Sequence, residues 1–317
     1  MRDIDWLLLI LLSVLWGGSF FFAAVAVREI PPLTLVLARV AIAAGLLAVV
    51  ARALGLALPR STADWRAYAV LGLLNNVVPF SLIFYGQTRI ASGLASVLNA
   101  TAPLFTLLVA RIAGHEPLSA SKVGGVVLGI AGVAILTAPD ALGVGGNPGS
   151  LLGMACVLSA ALSYALAAWW MRRLQGTPPL VSATAQLLCS TVMLAPAAAL
   201  VDCFWLLPLP GAASIGAVLG LAALSTGLAY IVFFRINATA GPSNVMLVTL
   251  LIPVSAIVLG ALVLGEQLEP YQMAGALVVA SALVVIDGRL AARLWPRRGP
   301  AEPPRNRSCR SRRDYRL

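Results

Sequence analysis

The sequence has little charge, a single histidine and no carboxylate in the middle of any apolar run. Charged residues occupy 11% of its 317 positions, against roughly 25% in an ordinary soluble domain. Ten of the charges lie beyond Pro296, whereas long stretches such as 33–51 hold only one. A water-soluble fold is excluded. The four cysteines, Cys156, Cys189, Cys203 and Cys309, have neither CxxC spacing nor a paired framework, so neither a metal site nor disulfide dependence follows. His115-Glu116 runs into Pro117, so no HExxH forms, and a lone interfacial histidine cannot serve a buried nucleophile. The glycine-rich stretch Gly143 to Gly149 has no preceding strand and no lysine, and is no phosphate cradle. The residues support no enzyme reading and imply no cofactor.

What is abundant is apolar length. Hydrophobic residues make up 60% of the chain, gathered into ten runs near 6–27, 33–54, 67–88, 93–113, 122–138, 151–171, 180–200, 212–234, 243–264 and 271–292. Each is long enough to cross ~30 Å of hydrocarbon as a helix. Their continuity excludes the alternating pattern of a membrane barrel. The expected fold class is an all-α polytopic membrane protein with ten transmembrane helices. Ala24-Val25-Ala26 resembles a signal-peptide cleavage site, but the apolar core before it exceeds the usual ~7–15 residues, so the first run is expected to span.

Basic residues set the expected orientation. With a cytosolic N-terminus, nineteen of the 22 Lys and Arg fall on the inner side, only Arg28 and Arg89 fall outside, and Arg39 lies within the second run. Both termini are expected to be cytosolic. The tail holds eight arginines against Glu302 and Asp314, with one aromatic, Tyr315. Anionic lipid is its nearer partner, and nucleic acid is not expected. Rich in Arg and Pro, the tail is expected to be disordered and dispensable for the function of the membrane part.

The chain repeats itself. Pro103, Glu116 and Gly125 recur at the same spacing as Pro253, Glu266 and Gly275, 150 residues later. Pro31-Pro32-Leu33 with Arg39 recurs as Pro178-Pro179-Leu180 with Gln186, 147 residues later. Each half then holds five crossings, and an odd number turns the second half upside down. Inverted repeats are a transporter architecture with the substrate site between the halves. The expected domains are 1–142, 143–295 and the tail 296–317.

Trp16-Gly17-Gly18-Ser19-Phe20 in the first helix, Arg39 in the second and the two Pro, Glu, Gly blocks resemble the EamA-like family of drug/metabolite transporters, across about residues 6–288. Ser163-Tyr164-Ala165, where the family often has Trp before Ala, departs from its pattern. The resemblance implies a central cavity lined by helices 1, 3, 4, 6, 8 and 9, a small-molecule substrate and export of amino acids or similar amphipathic metabolites. An importer, a lipid- or nucleotide-sugar carrier, and a membrane scaffold or receptor are the alternatives.

Lipid cannot satisfy amides, and aromatic rings at mid-depth lie away from the interfacial belt. The candidate substrate-binding residues are therefore Trp16, Ser19, Arg39, Asn75, Asn76, Asn99, Tyr164, Tyr230 and Asn244. A bare charge at the depth of Arg39 costs up to about 3 kcal/mol, so it needs partners. Pro103 and Pro253 are expected to bend the two halves in the same way. Gly125 and Gly129 form a GxxxG that suits packing within one chain and could mediate a dimer, so a monomer or homodimer is expected. Glu116 and Glu266 are expected to cap the helices that follow them. No acid lies at mid-membrane, which favours a uniporter or exchanger over proton antiport. A reporter fused at Gly145 is expected on the outer side, and activity of a cytosol-only reporter there would reverse the topology.

Overall fold

The structure is a computed structural model describing residues 3–114, 119–143, 149–174, 176–245 and 247–287. Among these residues it is helical without strands. Ten rods follow in order: α1 Asp3–Ala26, α2 Pro32–Ala53, α3 Thr62–Gln87, α4 Ser92–Ile112, α5 Ala120–Ala141, α6 Ser150–Leu174, α7 Pro179–Val201, α8 Ala212–Ala240, α9 Val248–Leu264 and α10 Pro270–Asp287. All but α9 reach 18 residues, and the single turn Pro242–Val245 precedes α9. The ten expected runs thus become ten helices. α3 starts earlier than its apolar run because the Ser61 hydroxyl accepts hydrogen bonds from Ala63 and Asp64 N–H and caps an extra polar turn. His115, Glu116, residues 144–148 and the arginine tail lie outside the described residues.

The most extensive helix contacts all join one half to the other: α5 with α10, α2 with α7, α1 with α9, and α6 with both α3 and α4. Exchanging each helix for the one five places on maps α5–α10 and α2–α7 onto themselves. It also maps α1–α9 onto α6–α4, and α3–α6 onto α8–α1, which is in contact too. This is the contact pattern of two five-helix repeats related by a twofold exchange.

Small residues allow the approach, because helices in lipid gain nothing by hiding apolar surface and gain only by close packing. At Gly132 in α5 a Cβ would lie 2.7 Å from Val279 Cγ2 and 3.2 Å from the Gly275 carbonyl oxygen of α10. At Gly125 it would collide with Ile286, and at Gly129 with Leu104. The GxxxG of α5 is therefore used inside the chain.

Two helices contain π turns at matching places, Leu73–Val77 in α3 and Gly220–Leu228 in α8. The bends expected at Pro103 and Pro253 are not alike. α4 is interrupted at Ala100–Thr101, and Pro103 sits in the first turn of the restarted helix, where its missing N–H costs nothing. Pro253 lies inside a continuous α9, and the interruption of that helix precedes it, between Val245 and Val248. Replacing Gly132 with Leu is expected to destabilise the bundle by about 1–3 kcal/mol in detergent unfolding. Gly124→Leu, on an open face of the same helix, is expected to stay within about 0.5 kcal/mol, and equal losses in both would refute the packing account.

Candidate functional site

A cavity of about 670 Å³ runs between the halves. Eight helices line it, including α2 and α7 beyond the six that the resemblance implied, while α5 and α10 contribute nothing. Its lining includes the exposed Met171, Arg172 and Gly176 at the α6–α7 connection, which forms its mouth. The far limit lies near Gln87, whose side-chain amide donates to the Phe20 carbonyl at 2.8 Å.

Three carboxylates lie at the end opposite the mouth, and each receives the N-terminus of a helix from the other half. Glu29 accepts from Gly211 N–H at 2.7 Å, at the start of α8. Asp202, after α7, accepts from Thr34 N–H at 2.7 Å and from the Thr34 hydroxyl at 2.8 Å, in the first turn of α2. Glu266 accepts from Ser92 N–H at 3.0 Å, Gly93 N–H at 3.2 Å and the Ser92 hydroxyl at 2.7 Å, at the start of α4. Unpaired N–H groups and the helix dipole favour a negative charge there. Glu266 therefore does not cap the helix that follows it, because the start of α4 lies closer than its own next turn; the Glu269 N–H beside α10 is taken by Gln272 Oε1. The Gly211 N–H, and then the Ser214 hydroxyl, hold the Glu29 carboxyl below its ordinary value of 4.5.

Deeper in, two polar crossbars join the halves from equivalent positions of α2 and α7. Arg39 of α2 donates through Nε to the Thr226 hydroxyl of the α8 π turn at 3.0 Å. Asn75 of the α3 π turn donates through Nδ2 to Oε1 of Gln186 in α7 at 3.0 Å. Arg39 is the counterpart of Gln186 in the repeat, so each crossbar joins α2 or α7 to a π turn of the opposite half. A π turn frees backbone groups and re-aims the side chains it carries, which suits a site. The Arg39 guanidinium also lies 3.8 Å above the centre of the Phe80 ring, a cation–π arrangement.

Of the residues singled out in the sequence, Trp16, Ser19, Arg39, Asn75, Asn99, Tyr164 and Tyr230 line the cavity together. Asn76 does not. Its side chain is fully buried and donates to the Ser190 hydroxyl at 3.1 Å, between α3 and α7. Asn244 lies on the turn before α9, where its amide donates to the Ala240 carbonyl at 2.6 Å. The interruption of α4 brings Asn99, Ala100 and Pro103 into the lining, as expected where irregular backbone at membrane depth borders a cavity. Sequence reasoning missed the ring set of Phe80, Phe84, Phe233 and Phe234. Trp16 and Phe233 pair with centroids 5.5 Å apart, and Tyr230 and Phe234 at 5.7 Å. In an apolar helix a cavity-facing Phe looks like a lipid-facing one. The arrangement suits a solute with an apolar body and a few polar groups.

The model of the EamA-like transporter family matches residues 5–138 and again 151–286. The uncharacterized transporter YvbV of Bacillus subtilis is 28% identical over 291 residues, covering 89% of this chain and 90% of its own. Protein PecM of Dickeya dadantii is 28% identical over 298 residues, covering 93% and 95%. The uncharacterized inner membrane transporter YedA of Escherichia coli K12 is 27% identical over 277 residues, covering 87% and 88%. A crystal structure sharing 20% identity superposes with a TM-score of 0.64 over 93% of this chain and 99% of its own, a likeness of fold. With its two copies of the family unit and its apolar helices, the chain belongs to the EamA-like transporter family and is a multi-pass protein of the cell membrane.

Proposed function

We propose that the chain is an alternating-access carrier that exports amino acids or similar small amphipathic metabolites. The observation that carries this reading is a cavity between two inverted halves, open at one end and tied shut at the other. The excess of basic residues supports a cytosolic side for the α6–α7 mouth and for both termini. The structure then corresponds to the inward-facing state, with Glu29, Asp202 and Glu266 as outer latches. Outward movement is supported by the family resemblance. An exchanger or uniporter suits a cavity whose described lining contains no carboxylate.

Solute counterflow in proteoliposomes tests the reading, with labelled aromatic, branched and sulfur amino acids and a lipophilic cation as the panel. Wild type is expected to exchange one class. Trp16→Ala and Asn75→Ala are expected to lower that exchange at least about 10-fold without loss of folded protein, and unchanged flux in both would remove the cavity from the transport path.

The latches are tested by labelling. In a background with Cys156, Cys189, Cys203 and Cys309 replaced, a cysteine at Phe84 is expected to resist an impermeant maleimide added outside at pH 7. Glu266→Ala combined with Asp202→Ala is expected to speed that reaction several-fold by raising the outward-open population. Because the closed state lowers the Glu29 value below 4.5, that latch holds above about pH 4.5 and loosens as the outer pH falls through the lowered value. Divided by the rate of an exposed control cysteine, which removes the pH dependence of the thiolate itself, labelling of the otherwise intact protein should thus be flat from pH 7 to 5 and rise only in stronger acid. Equal labelling with and without the latches would show that they do not hold the outer end.

A further inference from the structure

The two crossbars differ in one respect that their structural role does not explain. Gln186 joins the halves with a neutral side chain, as acceptor from Asn75. Arg39 does the equivalent work with a full positive charge, using only Nε–H toward Thr226. A guanidinium carries five N–H donors. The four on its Nη atoms have no acceptor among the described residues, and these atoms are not sealed from the cavity that Arg39 lines. The residue is 6% exposed. Every acid in the described residues belongs to a helix end or a connection, and none lines the cavity. Tyr164 and Tyr230 are the titratable groups that face it, and neither is an anion at neutral pH.

The Phe80 ring centre lies 3.8 Å from Arg39 Cζ, Thr226 takes the Nε–H, and no described acceptor takes the Nη edge. That edge is the fork that a carboxylate meets with two parallel hydrogen bonds. The rings of Phe84, Trp16 and Phe233 share the same cavity and offer an apolar wall for the rest of the solute. With no carboxylate in the described lining to receive an ammonium, the charges a cation meets among the described residues are those of Arg39 and, at the mouth, Arg172.

We propose that the transported solute carries a carboxylate that pairs with the free edge of Arg39 while its apolar body lies against the aromatic wall, so that organic anions are preferred to neutral amides and cations. This rests on the carrier reading above and narrows it.

The test uses four labelled probes with one ring system: phenylacetate, phenylalanine, phenylacetamide and phenethylamine. Counterflow in proteoliposomes at pH 7 is paired with quenching of intrinsic tryptophan fluorescence in detergent as a binding readout. Wild type is expected to take the two carboxylate probes, phenylacetate foremost, about 10- to 100-fold better than the amide or the amine, the weight of a charge-assisted hydrogen bond. Arg39→Gln, which places in α2 the residue that α7 already uses, is expected to erase that preference while keeping phenylacetamide. Arg39→Lys is expected to keep its sign at reduced size, and it serves if the glutamine variant does not fold. Thr226→Val removes the crossbar and leaves the charge, so it is expected to lower stability and to shrink the preference without abolishing it.

Exchange of the amide or amine as readily as the acid by wild type overturns the proposal while leaving the carrier reading intact. So does a carboxylate preference that survives Arg39→Gln or disappears with Thr226→Val. If folded wild type neither moves nor binds any of the four, the proposal and the carrier reading for this solute class fall together.

Discussion

Hydrocarbon offers a polar group no partner, and this constraint organises the whole molecule. A buried amide, hydroxyl or charge either finds a partner in another part of the chain or turns toward the cavity. Here those satisfactions run largely between the two repeats. The end carboxylates receive the helix starts of the opposite half, and Asn75, Asn76 and Arg39 reach across to Gln186, Ser190 and Thr226. The apolar contacts do the same, with α5 against α10 and α2 against α7. Neither half is complete by itself. A boundary built from short polar contacts and glycine-width approaches can also separate locally without exposing a large apolar core to water.

The distribution of charge along the cavity follows from the same constraint. At the closed end, acids meet N–H groups that would otherwise lack acceptors, so a charge is stabilised where the helix dipoles already favour it. Halfway down, a lone guanidinium is stabilised by a hydroxyl and a ring. The repeat supplies an internal control, because the same backbone position in α7 performs the bridging task with an amide. Symmetry thus separates what the architecture demands at this position from what one half adds to it.

Much of this was legible in the sequence, and the part that was not has a physical cause. Ten apolar runs and a repeat at 150 residues gave helix number and the correspondence of the two halves, since both depend only on length and spacing. Seven of the nine candidate residues share the cavity, because amides, mid-depth aromatics and a buried arginine are costly anywhere else. Asn75 and Asn76 show the limit: adjacent residues point about 100° apart on a helix, and one faces the cavity while the other bonds Ser190. In water a polar stripe would have revealed the rotation. In a helix apolar all round no such stripe exists. The latch at Glu266 was hidden for a different reason, since its partners lie 174 and 173 residues away in the chain. The α4 interruption was suggested by Pro103, but the same proline logic failed in α9, where the helix runs on through Pro253.

The π turns of α3 and α8 make residue count a determinant of the cavity's chemistry. A π turn holds one residue more than the α-helical turn it replaces, so the surplus is absorbed inside the turn and the helix beyond it keeps its phase. In α3 the turn Leu73–Val77 carries Asn75 into the cavity and Asn76 against Ser190, while Phe80, Phe84 and Gln87 line the cavity downstream of it. Losing a single residue there would restore regular winding and leave that downstream set nearly in place, so the change would fall on the crossbar residue Asn75. Such a deletion would read as a change of specificity rather than as a shortened helix.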